Sequence, residues 1–265
     1  MSKGIKKTKK VRFEAAPSGK EQKSITISEV TGRPDVSEII VYALVLLLLT
    51  TGTYLRNRIW NSDIELWADC VKKSPNKDRP HCNLGEAFFK QGKYPDAITH
   101  LTEALRINPN LVEAHNDLGS AFLDQGKYPE AITHFTEALR INPNLAAAHY
   151  NLGNAFLDQG KYPEATTHLT EALRINPNFA AAHYNLGNVF LNQGKYPEAI
   201  TQYTEALRIN PNLVEAHYNL GKVFLDQGKY PEAITHLTEA LRINPNLAVA
   251  RYTLGVALAR QRKAH

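Results

Sequence analysis

Short apolar stripes alternate with polar turns along most of the chain, and the spacing within each stripe predicts helices. Between residues 113 and 125, Leu118, Ala121 and Phe122 stand at positions i, i+3 and i+4. This spacing places side chains on one face of an amphipathic helix. Gly126 follows, and glycine suits the left-handed backbone that ends many helices. The pattern predicts a helix over 113–125 that ends at Gly126.

A second stripe predicts a second helix after this turn. Pro129 suits the first position of a helix, where its missing N–H costs no hydrogen bond. The apolar positions that follow at helical spacing are Ala131, Phe135, Ala138 and Leu139. Pro143 then ends the helix. The small residues Gly119, Ala131 and Ala138 predict a close approach between the two helices.

The two-helix pattern recurs at a constant interval. The motif Asn-Pro-Asn begins at Asn108, Asn142, Asn176, Asn210 and Asn244, which are 34 residues apart in each step. The full units are 78–111, 112–145, 146–179, 180–213 and 214–247. One helix pair cannot bury its apolar face alone, so the units must stack into a solenoid. Residues 248–265 are predicted to form a capping helix, and residues 62–73 a half-repeat within a junction over 56–77.

Each unit places an early Leu-Gly, an aromatic residue three positions later, two alanines and a closing proline at fixed positions. In the second unit these are Leu118, Gly119, Phe122, Ala131, Ala138 and Pro143. The pattern resembles the tetratricopeptide repeat (TPR) family. The resemblance implies an all-α superhelical solenoid of antiparallel helix pairs that binds other proteins or peptides. The chain departs from the family where Trp or Leu is common, with His81, His115, His149, His183 and His217.

In TPR proteins the first helices of the units line a concave groove, which is the family's usual peptide site. Helix register places the following side chains there: Asn83, Asn116, Asn151, Asn185, Asn219, Tyr150, Tyr184, Tyr218, Asn154 and Asn188. Amides can pair with any peptide backbone, and tyrosine adds rigid contact area. The row is similar to the asparagine ladder of the nucleocytoplasmic O-linked N-acetylglucosamine transferases, although Asp117 interrupts it. Asparagine here also serves local helix hydrogen bonding in the family, so both interpretations stay open.

The repeats predict no catalytic machinery, no metal site and no cofactor. The five early histidines lie one unit apart, at least ~8–10 Å, which is too far to share one zinc ion. A second set, His100, His134, His168 and His236, has Gln202 in the fourth unit. Phosphate-binding loops and nucleophile motifs are absent from the sequence. We therefore expect neither an enzyme nor a small-molecule substrate. A disulfide between Cys70 and Cys82 stays open.

A long apolar run precedes the repeats. Residues 39–55 carry no charge and would form a helix ~25 Å long, slightly short of a ~30 Å hydrocarbon core. The sequence predicts a transmembrane helix over 37–55. Residues 1–36 are predicted to be a disordered basic tail, which either stays solvated or contacts anionic lipid.

Charge is unevenly divided along the chain. Residues 1–38 hold nine Lys/Arg and five Asp/Glu, whereas residues 78–265 hold seventeen and eighteen. A nearly neutral body predicts no nucleic-acid binding. The positive-inside rule predicts a single-pass protein with a cytoplasmic N-terminus and periplasmic or lumenal repeats.

Two function classes remain. The first is a membrane-anchored scaffold that binds extended peptide segments in the groove. The second rests on residues 54–85, which resemble the junction between the last membrane helix and the repeats in membrane TPR proteins of the O-mannosyltransferase type. That resemblance implies an accessory or truncated part of a protein O-glycosyltransferase system that presents substrates.

Overall fold

The computed structural model of the protein describes residues 36–59 and 62–264. The chain divides into two compact units, Met1–Arg58 and Ile59–His265. All thirteen elements within the described residues are α-helices. The all-α prediction is therefore confirmed, and the predicted tail over 1–36 lies almost entirely outside the described residues.

The described part of the first unit forms a helix, α1 (Val36–Ile59), whose last residue belongs to the second unit. Every side chain from residue 39 to residue 54 is exposed, and Leu48 reaches 72 %. No helix among the described residues is long and apolar enough to cross a membrane. The transmembrane helix predicted over 37–55 is therefore not supported by the described helices.

The second unit is a regular series of helices joined by short turns. A single helix, α2, is followed by five helix pairs and then by α13. The bounds are α2 Asp63–Lys73, α3 Asp78–Lys90, α4 Tyr94–Ile107, α5 Val112–Asp124, α6 Tyr128–Ile141, α7 Ala146–Asp158, α8 Tyr162–Ile175, α9 Ala180–Asn192, α10 Tyr196–Ile209, α11 Val214–Asp226, α12 Tyr230–Ile243 and α13 Ala248–Ala264. Helices lie at the positions of the predicted half-repeat and capping helix, as α2 and α13, and each packs on its neighbouring pair.

The helix bounds differ from the sequence prediction by one residue. The helix predicted over 113–125 is Val112–Asp124. Pro129 is the second residue of α6 and not the first, because Tyr128 already has helical backbone. The backbone N–H of either position has no partner within the helix, so proline is tolerated at both.

Close helix contact depends on glycine at one position in every pair. A Cβ atom added to Gly119 would lie 2.7 Å from Phe135 Cε1, which is closer than a Cβ atom lies to a non-bonded neighbour in real structures. Ala131, Phe135 and Ala138 are fully buried against this contact. The close approach predicted from the small residues is therefore confirmed.

The turns also repeat. Gly126 has φ +70°, the left-handed backbone expected after a helix. Its N–H donates to the Leu123 carbonyl at 2.8 Å, and Lys127 N–H donates to the Phe122 carbonyl at 2.9 Å. After the second helix, the Asn142 side chain accepts the N–H of Asn144 at 3.1 Å. This local bond closes the Asn-Pro-Asn turn.

Candidate peptide-binding groove

The first helices of the repeats (α3, α5, α7, α9, α11) and α13 present one polar strip, which we term the first-helix face. It consists of the predicted groove residues together with Asp117, Ser120, Lys222 and Tyr252. Most of these side chains are partly buried. Helix register alone placed them on one face, and the structure brings neighbouring members into contact.

Asparagine side chains link the third, fourth and fifth units to the unit before each of them. Asn151 Nδ2 donates to Asn116 Oδ1 at 3.2 Å and to Ser120 Oγ at 3.3 Å. In the next unit Asn185 Nδ2 donates to Asn154 Oδ1 at 2.7 Å. These bonds join residues about one repeat apart, so they help to fix the angle between units.

Tyrosine hydroxyls complete the same pattern in the later units. Asn185 Nδ2 donates to Tyr150 Oη at 3.3 Å. Asn219 Nδ2 donates to Tyr184 Oη at 3.3 Å and to Asn188 Oδ1 at 3.1 Å. The structure therefore adds a structural role to the asparagines, whose amide hydrogens are used between units. Asn83 makes no such bond within residues 62–264.

Tyr203, on the second helix α10, was missed by the sequence analysis. Its ring is fully buried at the position held by Phe135 in the second unit. Its hydroxyl donates to Asn188 Oδ1 at 2.7 Å, and burial raises the pKa of this phenol. The available signal was a tyrosine in a register that elsewhere holds Leu or Phe.

The first two units form an acidic cleft of about 580 Å³ beside the first-helix face. Asp117, Glu86 and Glu113 line it together with Arg79. Glu113 pairs with Arg79 at 3.5 Å, and Glu86 pairs with Lys90 at 2.8 Å.

Burial raises the pKa of Asp117 to about 6, although a hydrogen bond from Asn116 opposes this shift. Asp117 forms no salt bridge within residues 62–264.

The opposite end of the face carries basic side chains. A smaller cleft of about 250 Å³ lies between α11 and α13. Lys222 and Arg260 line it with Tyr218, Tyr252 and one acid, Asp226. The first-helix face therefore changes from acidic through neutral to basic along the solenoid.

The two histidine sets, treated separately in the sequence analysis, form pairs in the structure. His115 Nδ1 lies 3.1 Å from His134 Nδ1, and His115 Nε2 lies 3.1 Å from the Pro109 carbonyl oxygen. The fourth unit replaces this pair with His183 and Gln202, 2.7 Å apart. The constant 19-residue spacing was the available signal. Within the described residues no group of three or more His, Cys, Asp or Glu side chains could hold a metal ion.

Both cysteines are free thiols. Cys82 is buried, and burial raises its pKa to about 12. The disulfide left open by the sequence is therefore not formed in this structure.

The stacked helix pairs and the continuous polar face define a helical-repeat solenoid. The family model for the TPR repeat matches residues 85–126, 119–160, 153–194, 187–228 and 221–261. The chain belongs to the TPR repeat family, whose members bind other proteins or peptides. The similarity of residues 54–85 to O-mannosyltransferase-type proteins stays a prediction.

Solved TPR structures have the same fold. YrrB, described as a TPR protein with an unusual peptide-binding site, is 22 % identical; the match covers 71 % of this chain and 97 % of YrrB, with a TM-score of 0.57. MamA is 27 % identical over 62 % of this chain and 96 % of its own, with a TM-score of 0.57. PilF of Pseudomonas aeruginosa is 22 % identical over 71 % and 91 %, with a TM-score of 0.59. No curated protein matches the chain.

Proposed function

We propose that this protein is a non-catalytic scaffold that binds extended protein segments on its first-helix face. The observation that carries the proposal is the strip of tyrosine and asparagine at equivalent positions in the third, fourth and fifth units. A peptide backbone carries the same polar groups at every residue, so it suits a surface on which the same side chains recur from unit to unit.

The internal hydrogen bonds define what the strip offers to a peptide. The Nδ2 groups of Asn151, Asn185 and Asn219 already donate to neighbouring units. Peptide recognition therefore uses acceptor oxygens, the tyrosine hydroxyls and ring contact. Because these bonds hold the side chains in place before binding, less conformational entropy is lost when a ligand arrives.

A matched set of variants tests this function. Tyr218 lies on the face, whereas Tyr196 lies at the start of α10 and serves as the control. Cross-linked capture from membranes is compared for the native chain, Tyr218→Ala and Tyr196→Ala after circular dichroism shows equal helicity. Loss of partners in Tyr218→Ala alone supports the proposal. Equal capture by all three chains contradicts it.

We also propose that residues 39–55 attach the protein to a membrane, with the N-terminus cytoplasmic and the repeats periplasmic or lumenal. The proposal is supported by the uncharged sequence and the exposed apolar side chains of residues 39–54. The excess of basic residues before this run supports the orientation and a contact with anionic lipid.

Deleting residues 39–54 should release the chain from sedimented membranes, whereas deleting residues 3–12 should leave most of it there. Protease added after the outer barrier is opened should digest the repeats and spare a tag at the N-terminus. Digestion of the repeats only from the cytoplasmic side would show that the orientation is reversed.

A further inference from the structure

The first-helix face differs sharply between its first two units and its next three. At one helix position the later units carry Tyr150, Tyr184 and Tyr218, and the first two carry Cys82 and Asn116. At the next position four units carry asparagine and the second unit alone carries a carboxylate, Asp117. The two groups of units therefore present different side chains on this face.

Asp117 is the residue that the packing of the solenoid does not explain. The asparagines at its position in the third to fifth units donate to the unit before them. A carboxylate cannot donate, so Asp117 gives up that link between units. It accepts one bond, from Asn116 Nδ2 at 3.3 Å. Largely removing a carboxylate from water without a cation is unfavourable unless a partner arrives.

The cleft beside Asp117 has room for such a partner. The other two acids that line it already have cations, since Glu113 pairs with Arg79 and Glu86 with Lys90. The cleft is bounded on one side by the Asn-Pro-Asn turns at Asn108 and Asn142. It opens onto the face that continues into the tyrosine units.

We propose that this cleft receives the Lys or Arg side chain of an extended peptide whose neutral residues lie over the tyrosines of the third to fifth units. The inference rests on the proposed function and adds the chemical class of the ligand. Charge complementarity selects the occupant: a carboxylate without a salt bridge at the acidic end of the face favours a cation near one end of the peptide.

The spacing of the units sets the length of the peptide. Neighbouring first helices are ~10 Å apart, and an extended chain rises ~3.3 Å per residue. The residue over Tyr184, two units beyond Asp117, is therefore about six residues from the basic side chain. A twelve-residue peptide reaches the fifth unit.

An array of neutral twelve-residue peptides provides the test. Each sequence is made with arginine near one end and again with citrulline, its uncharged isostere, and a second set places the residue near the other end. The full chain in detergent should bind the arginine form of its best sequences on the order of tenfold more tightly, as expected for one charge-assisted hydrogen bond. Equal binding of the two forms would overturn the inference while leaving peptide binding intact. Binding of neither form would overturn the proposed function as well.

A variant that gives the second unit the residue of the other four units tests whether Asp117 causes the preference for arginine. Asp117→Asn introduces the residue found in four units, so the fold has a precedent for it. It should abolish the preference for arginine and leave citrulline peptides bound, whereas the control Asp158→Asn, an exposed acid of α7, should keep the preference. A preference that survives Asp117→Asn contradicts the inference. Tighter, Asp117-dependent binding of a peptide copying residues 3–12 would contradict it too, because the occupant would be this chain's own basic segment.

Discussion

The interior of the helix pairs and the first-helix face differ in how they change from unit to unit. The interior is nearly constant, with glycine facing one buried Leu, Phe or Tyr in each pair. The face changes at several positions, from Asp117 and Asn116 in the second unit to Tyr218 and Lys222 in the fifth. Close packing allows few alternatives inside, whereas a surface in contact with water tolerates many. Variation on the face can therefore specify a partner without altering the fold.

The largest effect on stability is expected from a substitution in the interior of a helix pair. Gly153→Ala places a Cβ 2.7 Å from Leu169 Cγ, so it should lower the free energy of unfolding by about 1–3 kcal/mol. Gly255 occupies the same register in α13 but has no atom within 4 Å of an added Cβ. Gly255→Ala should instead stabilise the chain by up to about 1 kcal/mol, because alanine has the higher helix propensity.

Urea unfolding followed by circular dichroism compares the two glycine variants. A solenoid unfolds unit by unit, so the midpoint and the slope are both needed. Similar midpoints for Gly153→Ala and Gly255→Ala would show that the helix pairs are less tightly packed than the structure indicates.

The second largest effect is expected at Asp117, a residue of the first-helix face that reduces the stability of the fold. The folded pKa of Asp117 is raised from 3.8 to about 6, chiefly by burial. Its charged form therefore destabilises the fold above about pH 6, and this penalty disappears as the pH falls towards 3.8. Asp117→Asn should stabilise the chain by about 1–2 kcal/mol at pH 7, which is less than the ~3 kcal/mol equivalent to the full pKa shift because the carboxyl is partly exposed.

Unfolding of the native chain and Asp117→Asn at pH 7 and pH 4.5 measures this effect. The gain should shrink at the lower pH, where the carboxyl is protonated. The carboxyls of Glu86 and Glu113 and the ammonium of Lys90 also act on Asp117. The pH dependence of the native chain alone therefore does not assign the effect, and the difference between the native chain and Asp117→Asn at each pH does. A gain that is equal at both pH values would contradict the assignment.

Tyr203 is the point at which interior and face meet. Tyr203→Phe copies the second unit, where Phe135 fills the same position, and it removes the hydroxyl that donates to Asn188 at 2.7 Å. The expected cost is about 1 kcal/mol, the usual net value of one hydrogen bond. Chemical shifts of the Asn188 and Asn219 side-chain amides should move in the variant. Unchanged amide signals would show that the hydroxyl does not join the network.

These contrasts also show which features a sequence can predict. The fold followed from the 34-residue period, because the same buried stripe recurs in each unit. The candidate face followed from helix register. The bonds between Asn219 and Tyr184 and between His115 and His134 did not, because they depend on how helices cross and units rotate. Apolar composition indicated α1, but it could not decide between a membrane-spanning helix and another exposed apolar helix.

The smallest effect is expected at the histidine pairs, which lie between interior and face. The Pro109 carbonyl can only accept, so His115 Nε2 carries a proton and donates to it. His115 Nδ1 must then accept a hydrogen bond from His134 Nδ1. The pKa of His134 is lowered by burial and next by His115, while Glu137 opposes the shift. The stability that neutral His134 contributes is therefore lost as the pH falls below 6.5, which is the pKa of this side chain in the unfolded chain.

His134→Gln copies the fourth unit and should remove this pair's share of the pH dependence, about a few tenths of a kcal/mol after allowing for partial exposure. A glutamine amide carries both a donor and an acceptor, so it can replace the second ring of the pair, as Gln202 does 2.7 Å from His183 Nδ1. Thermal unfolding of the native chain and the variant at pH 7.5 and pH 5.5 measures the difference. Glu137→Gln provides the control for the nearby charge. If the two chains lose the same stability on acidification, the histidine pair does not sense pH, and the loss belongs to other groups of the fold.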